Sequence, residues 1–354
     1  MASTGLNFAN LTPDNGAIKD LKRLIFLAVT DPESLGKIFN FLPKQKHGEK
    51  VGFVGEFGMV GKASQGCNPT FGTSILATTE KEWDIREWEV AEKICYKDLE
   101  GTVAQVAMRT KTGTEYTDYI LAPRLELAIR KMLMRYAWFG DKAADTVTDG
   151  GNLLDSIDPA YFTLVDGFWK RLFTLAAATP DRRTTCAANA AATFAEQKTA
   201  MRQNYAAVDF LDALISDAST VLRQANGQLI YITQALKDAL DADLKRNNKG
   251  SELQWTALFD GITETNYNGV QMIAIPFLDE IIKGCETVSG GKAWNKPYRA
   301  LYTIKDDLLV GMESESEVAD IQVWFNKDEQ MNKILSKDKI GTLIADDNLV
   351  QVGF

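Results

Sequence analysis

The chain has 354 residues, 45% of them hydrophobic and 25% charged, and a formal net charge of −9. That length can bury a large core arranged as two or three subdomains, and the balance is that of a soluble globular protein. No run approaches the roughly 18 apolar residues of a membrane span, and an acidic chain with no basic cluster is not built to grip a phosphate backbone.

The opening residues, MASTGLNFANLTPDNG, lack the basic flank and apolar run of a signal peptide, so export is not expected. Residues 1–48 read as a mixed arm. Ile18, Leu21, Leu24, Ile25 and Ala28 make a short amphipathic helix ending near Asp31-Pro32, and Leu35, Ile38, Phe39, Phe41 and Leu42 form an apolar cluster that stops at Pro43. Such pieces are too short to stay helical in water and should lie on something larger. His47, the one histidine, sits in KQKHGEK and reads as a solvated loop residue. Its solitude weighs against zinc sites and histidine-based acid–base triads.

Residues 51–61 (VGFVGEFGMVG) and 82–95 (EWDIREWEVAEKIC) read as two extended strands joined by a Gly-, Ser- and Thr-rich connection, Lys62 to Lys81. A two-stranded ribbon is marginal alone, so this one leans on its own body or on another molecule. Gly61-Lys62 looks like the end of a phosphate loop. However, Glu56 stands where a glycine is needed, Ala63 follows the lysine, and no helix comes next; nucleotide binding is not expected.

The run from Tyr119 to Gly151 is the clearest helix signal. Pro123 suits a first turn, and Leu125, Ile129, Met132, Tyr136 and Phe139 recur on one stripe, with Arg124, Lys131 and Arg135 opposite. The helix is about 25–30 Å long and should support other elements. Asp145 to Gly150 resembles the start of a calcium loop, but Val147 and Ser156 replace required oxygen ligands, so it reads as a turn.

Between 152 and 203 lie an aromatic piece (Tyr161, Phe162, Phe168, Trp169, Phe173) and an alanine-rich tract, Ala187 to Ala200, expected as a surface loop or weakly packed helix. Val208, Leu211, Leu214, Ile215, Ala218 and Leu222 mark an amphipathic helix with Asp209, Asp212 and Asp217 on its solvated side. None of these acids sits in a catalytic motif. Asn226-Gly227 then turns the chain into a buried strand, Leu229 to Ile232, and Thr233 can cap a helix through Leu236, Leu240 and Leu244. From Gly269 the chain reads as strands at 270–276, 299–304, 308–312, 321–325, 340–345 and 349–354, the last two joined by an Asp346-Asp347-Asn348 hairpin turn. The four cysteines, Cys67, Cys95, Cys186 and Cys285, lie far apart and read as reduced, packed thiols. The expected class is α+β with segregated elements.

Taken in order, these residues resemble the major capsid proteins of tailed bacteriophages, the HK97-type fold, and in wording those of phages infecting Bacteroides-type bacteria. The resemblance rests on FGDKAADTVTDGG after the long helix, on VDFLDALISDASTVLRQANGQLIYITQALKDAL, and on PYRALYTIKDDLLVGM and KIGTLIADDNLVQVGF near the end. It implies an N-terminal arm (1–48), an extended β-hairpin or E-loop (49–97), and a peripheral domain with a spine helix (98–225, with 152–203 as a surface insertion). An axial domain (226–335) and C-terminal strands returning to the body (336–354) would follow. It also implies a shell subunit that is not an enzyme, with no catalytic, cofactor-binding or metal residues and no cofactor. Its partners would be copies of itself in hexamers and pentamers, joined through E-loop and arm. Scaffold, portal and decoration proteins would be separate chains, or the scaffold absent. The icosahedral virion would enclose double-stranded DNA without binding it specifically and would be assembled in the bacterial host cytoplasm, with no membrane involved. The crosslinking Lys, Asn and Glu of some relatives have no matching motif here. An encapsulin-type compartment shell, or a cytosolic hydrolase or binding protein using Asp-rich helices, are the alternatives.

Overall fold

The computed structural model describes residues 38–57, 76–95, 122–144, 153, 157–247, 253–259, 261–288, 293–312, 322–326 and 331–354. Along the first half run β1 (Asn40–Leu42), β2 (Lys50–Phe57), β3 (Leu76–Glu82), β4 (Arg86–Cys95), α1 (Ala122–Phe139), α2 (Phe168–Ala178), β5 (Arg183–Thr184), α3 (Phe194–Met201), α4 (Ala206–Asp217) and α5 (Thr220–Gln224). The second half holds β6 (Gln228–Thr233), α6 (Gln234–Asn247), β7 (Thr256–Phe259), β8 (Ile262–Tyr267), β9 (Val270–Ile275), α7 (Pro276–Gly284), β10 (Thr287–Val288) and β11 (Ala293–Trp294). After these come β12 (Ala300–Ile304), β13 (Leu308–Gly311), β14 (Gln322–Asn326), β15 (Met331–Ile344) and β16 (Gln351–Gly353).

The apolar stripe of α1 goes where its spacing directs it: Ile129, Met132, Tyr136 and Phe139 are buried, and so are Leu133, Met134, Ala137 and Trp138 beside them. The C-terminal half of the helix is therefore core on nearly every side. Trp138 is fully buried and meets the rings of Phe39, Phe168, Trp169 and Tyr231 at 5.5–5.6 Å. Truncating such a side chain to alanine costs about 3–5 kcal/mol. Gly140 ends the helix because nothing larger fits, since an added Cβ would lie 2.3 Å from the Val165 carbonyl oxygen. Gly167, at the start of α2, donates its N–H to the Gly140 carbonyl at 2.7 Å, so two glycines let the helices meet end to end.

Two sheets surround this core. One has seven strands in the order β5-β16-β12-β6-β9-β8-β7, antiparallel except for the β6–β9 and β16–β5 pairs. In the second, β15 carries β13 and β14 along one edge and β4 along the other, while β1 runs parallel to β13. The strand Leu229 to Ile232 is central and buried as expected, and Thr233 caps α6 by accepting the Leu236 N–H at 3.4 Å. Asp279 of α7 completes that cap, accepting the N–H groups of Gln234 and Ala235 at 2.5 and 3.0 Å.

Several expectations are corrected. The partner of β2 is β3, which lies inside the stretch read as a connection, while 86–95 leaves the ribbon and pairs with β15 over ten residues. Cross-strand charge favours this pairing, because Lys337 of β15 reaches Glu87 and Glu89 of β4 at 3.7 and 3.3 Å. The segment 152–203 is no surface appendage at α2, where Phe168, Trp169, Leu172, Phe173 and Ala176 are buried. Nor is the alanine-rich tract weakly packed throughout. Thr193 and Glu196 form a reciprocal capping box for α3, and buried Gln197 donates to the carbonyls of Asn189 and Trp294.

The helix expected across 208–222 breaks at Ala218, and Ser219 caps the short α5. Asp346 to Asn348 makes no hairpin: β15 and β16 belong to different sheets, and β16 is drawn away by pairing with β12. The run from Gly269 also contains a helix, α7, opened by Pro276. Finally, the elements are not fully segregated, because α6 lies in the crossover between the parallel strands β6 and β9.

Candidate assembly surface

The sequence names no catalytic, cofactor-binding or metal-ligating residue, and the titratable groups that drew scrutiny lie apart from one another. His47 is exposed in the turn before β2, its Nδ1 3.5 Å from Asp84. Asp209, Asp212 and Asp217 line the exposed side of α4. Asp212 accepts bonds from the Tyr267 hydroxyl and the Asn268 amide at 2.9 Å, and Asp217 accepts the Thr184 hydroxyl at 3.0 Å. These carboxylates tie surface segments together. Burial pushes the Cys186 thiol up to about 11 and raises that of half-buried Cys285, which keeps both as poorly reactive thiols. Cys67, the phosphate-loop-like Gly61-Lys62 and the calcium-loop-like Asp145 to Gly150 lie outside the described residues. Among the described residues, no three His, Cys, Asp or Glu side chains gather as a metal site, and no helix is long and apolar enough to cross a membrane.

What the molecule does present is a ribbon fixed at its root. Strands β2 and β3 pair only with each other among the described residues, in register from Lys50 opposite Glu82. At the base, Trp83 N–H donates to the Glu49 carbonyl and Gly48 N–H donates to the Trp83 carbonyl, both at 2.9 Å. The Trp83 ring is fully buried with Ile85, Leu309 and Leu343. Gly311 makes room for it, since an added Cβ there would stand 2.7 Å from the indole. Asp84 collects Arg86 at 2.8 Å and the Lys142 ammonium, linking the root to the turn after α1. Lys81 on β3 donates to the Ile344 carbonyl at 2.8 Å and to Asp347 at 2.6 Å.

Lys81 thereby touches the place where the chain crosses between the sheets. One crossing runs from β12 through Lys305–Asp307 to β13, the other from β15 through Asp347–Leu349 to β16. Buried Asp307 pins them together. Its carboxylate accepts the Asp346 N–H at 2.6 Å, and its carbonyl accepts the Ala345 N–H at 3.0 Å. Burial, with Asp346 and Asp347 nearby, pushes its carboxyl up to about 7 against the opposing pull of the Asp346 N–H and Lys81. Sequence reading missed this junction, where the only signal was the repeated Asp-Asp pair at 306–307 and 346–347.

A second open feature is β4, whose pairing among the described residues is with β15 alone, leaving its other edge uncovered. A groove of 790 Å³ runs beside it, walled by Trp88 and Tyr161. Tyr161 is 58% exposed and held by the Arg135 guanidinium, 5.4 Å from its ring. A ten-residue edge and a two-stranded ribbon that are both unpaired further among the described residues call for a partner.

No family model matches the chain, and no curated protein matches it in sequence. Solved structures do match. The chain superposes on a chain of the satellite phage P4 procapsid including size determination (Sid) protein, with a TM-score of 0.51 and 12% identity, over 95% of this chain and 98% of that one. A chain of Gordonia phage Cozz aligns with a TM-score of 0.53 and 13% identity, over 91% of this chain and 85% of its own. At these identities the likeness is one of fold: helices and sheets arranged as in chains of phage particles.

Proposed function

We propose that this chain is the major capsid protein of a tailed bacteriophage, an HK97-type shell subunit that assembles with copies of itself into hexamers and pentamers of an icosahedral head around double-stranded DNA. The observation that carries the proposal is the shared fold with a procapsid chain across 95% of this sequence. The rooted ribbon and the edge of β4, neither paired further among the described residues, support it, since neighbouring copies lying against them would complete both. In this reading β2 and β3 belong to the E-loop, α1 is the spine helix, and the N-terminal arm (1–48) and the E-loop would make the contacts to adjacent capsomers. The seven-stranded sheet lies mainly in the axial domain. The acidic surface suits a wall that must hold a genome without immobilising it. The subunit acts as structure rather than as an enzyme, works in the virion, and is assembled in the host cytoplasm, with portal and decoration proteins as other chains and the scaffold either a separate chain or absent.

Electron microscopy of the purified, concentrated protein tests this directly. Closed shells or rings of five and six copies are expected. A protein that stays monomeric under every assembly condition would refute the proposal, and particles carrying an enzyme cargo in place of DNA would favour the compartment reading.

A further inference from the structure

A cleft of 520 Å³ lies between the root of the ribbon, α2 and the end of β15. Its apolar floor includes Leu175, Leu343 and Ile344, and Arg171 of α2 stands over it. The Arg171 guanidinium is fixed in direction, because Nε donates to the Asp166 carbonyl and to the Thr342 hydroxyl, both at 3.1 Å. Thr342 in turn donates to the same Asp166 carbonyl at 2.5 Å, which makes the support rigid. The terminal nitrogens of Arg171 meet no partner among the described residues.

Of the other charges lining the cleft, Glu82 is exposed at its edge, and the rest have contacts of their own. Asp347 accepts Lys81 at 2.6 Å, the Asp166 carboxylate accepts the Lys142 N–H at 3.0 Å, and Lys170 pairs with Asp141 at 3.2 Å. Burial lowers the Arg171 pKa, and the charge of Asp166 partly opposes that shift. A pre-aimed guanidinium fork above an apolar floor is complementary to a side chain with an aliphatic stem and a carboxylate head, bound through two parallel hydrogen bonds.

We infer that this cleft receives an aspartate or glutamate side chain from a second copy of the chain, clamped by Arg171. The inference rests on the shell reading, in which copies pack side by side. Charge selects the occupant: the chain carries 48 acidic against 39 basic residues, so a neighbouring copy is rich in carboxylates.

The test mixes isotopically light and heavy protein carrying Arg171→Lys, assembles it, and treats the particles with a carbodiimide, which joins amines to carboxylates in direct contact. The expected result is a mixed-isotope peptide pair linking position 171 to an Asp or Glu peptide. In parallel, Arg171→Gln should reduce particle yield roughly tenfold relative to Arg171→Lys, which gives up the same Nε bonds but keeps the charge; tenfold is the scale of one lost charge-assisted contact. Normal particles with no such link, a link within one copy only, or loss of retained nucleic acid in place of loss of particles would each overturn the inference while leaving the shell reading intact. Failure of the unsubstituted chain to assemble at all would remove both.

Discussion

Arg299 is fully buried, and its guanidinium lies 5.2–5.6 Å from the rings of Phe139, Trp169 and Phe173. It donates to the carbonyls of Lys296 and Asn295 at 3.0 Å and to the carboxylate of buried Glu286, whose pKa burial raises against the opposing pull of that same arginine. Removing one member leaves the other buried without its opposite charge. Arg299→Met is therefore expected to cost about 3–5 kcal/mol by urea unfolding, and adding Glu286→Leu should recover a large part of it. Additive losses would show that the two groups are not coupled. At Asp307 the folded pKa of about 7 lies above the ordinary value of 3.8, so its contribution is fully present at low pH and is lost as pH rises through 7. Asp307→Asn keeps an acceptor for the Asp346 N–H and removes the charge. It should raise the melting temperature at pH 8 and change it little below pH 3.8, where the unfolded carboxyl is protonated too; a lower melting temperature at pH 8 would contradict this account.

At the scale of elements, the ribbon stays in place through a few groups at its root. Trp83 fills the space left by Gly311, and Lys81 reaches across to the end of β15. Trp83→Ala removes the buried anchor at a cost of about 3–5 kcal/mol, and hydrogen exchange in Lys50–Phe57 and Leu76–Glu82 should speed up well beyond that in β6. Uniform acceleration across both regions would mean that the ribbon unfolds only with the whole molecule. The sequence announced α1, β6 and α6 because periodicity, Pro123, Thr233 and the Asn226-Gly227 turn all act within a few residues. It misled at β4, whose partner β15 lies more than 230 residues away. An alternating strand says which face is buried but not which strand it meets. The same limit hid the parting of β15 from β16, a choice made by Asp307 and β12 and not by the Asp-Asp-Asn turn between them.

At the scale of the whole molecule, the proposed shell would cover the β4 edge and the ribbon that are left open among the described residues, and each subunit would gain stability from its neighbours. Binding to the folded state alone stabilises it by mass action, so assembled particles are expected to melt at a higher temperature than isolated subunits in differential scanning calorimetry. Equal melting temperatures would mean that the contacts between copies add nothing to each fold. Composition, acidic charge and the scarcity of histidine bounded the class of protein and weighed against histidine-based chemistry, and the resemblance carried by the ordered motifs implied a shell subunit. Those properties are sums over residues or patterns within one turn or strand. Tertiary structure alone decided that Phe168–Ala178 belongs to the core, that Asp307 joins the two sheets, that Trp83 roots the ribbon and that Arg171 faces a cleft. Each of these depends on groups far apart in sequence meeting at van der Waals or hydrogen-bond distance, and no local pattern encodes such a meeting.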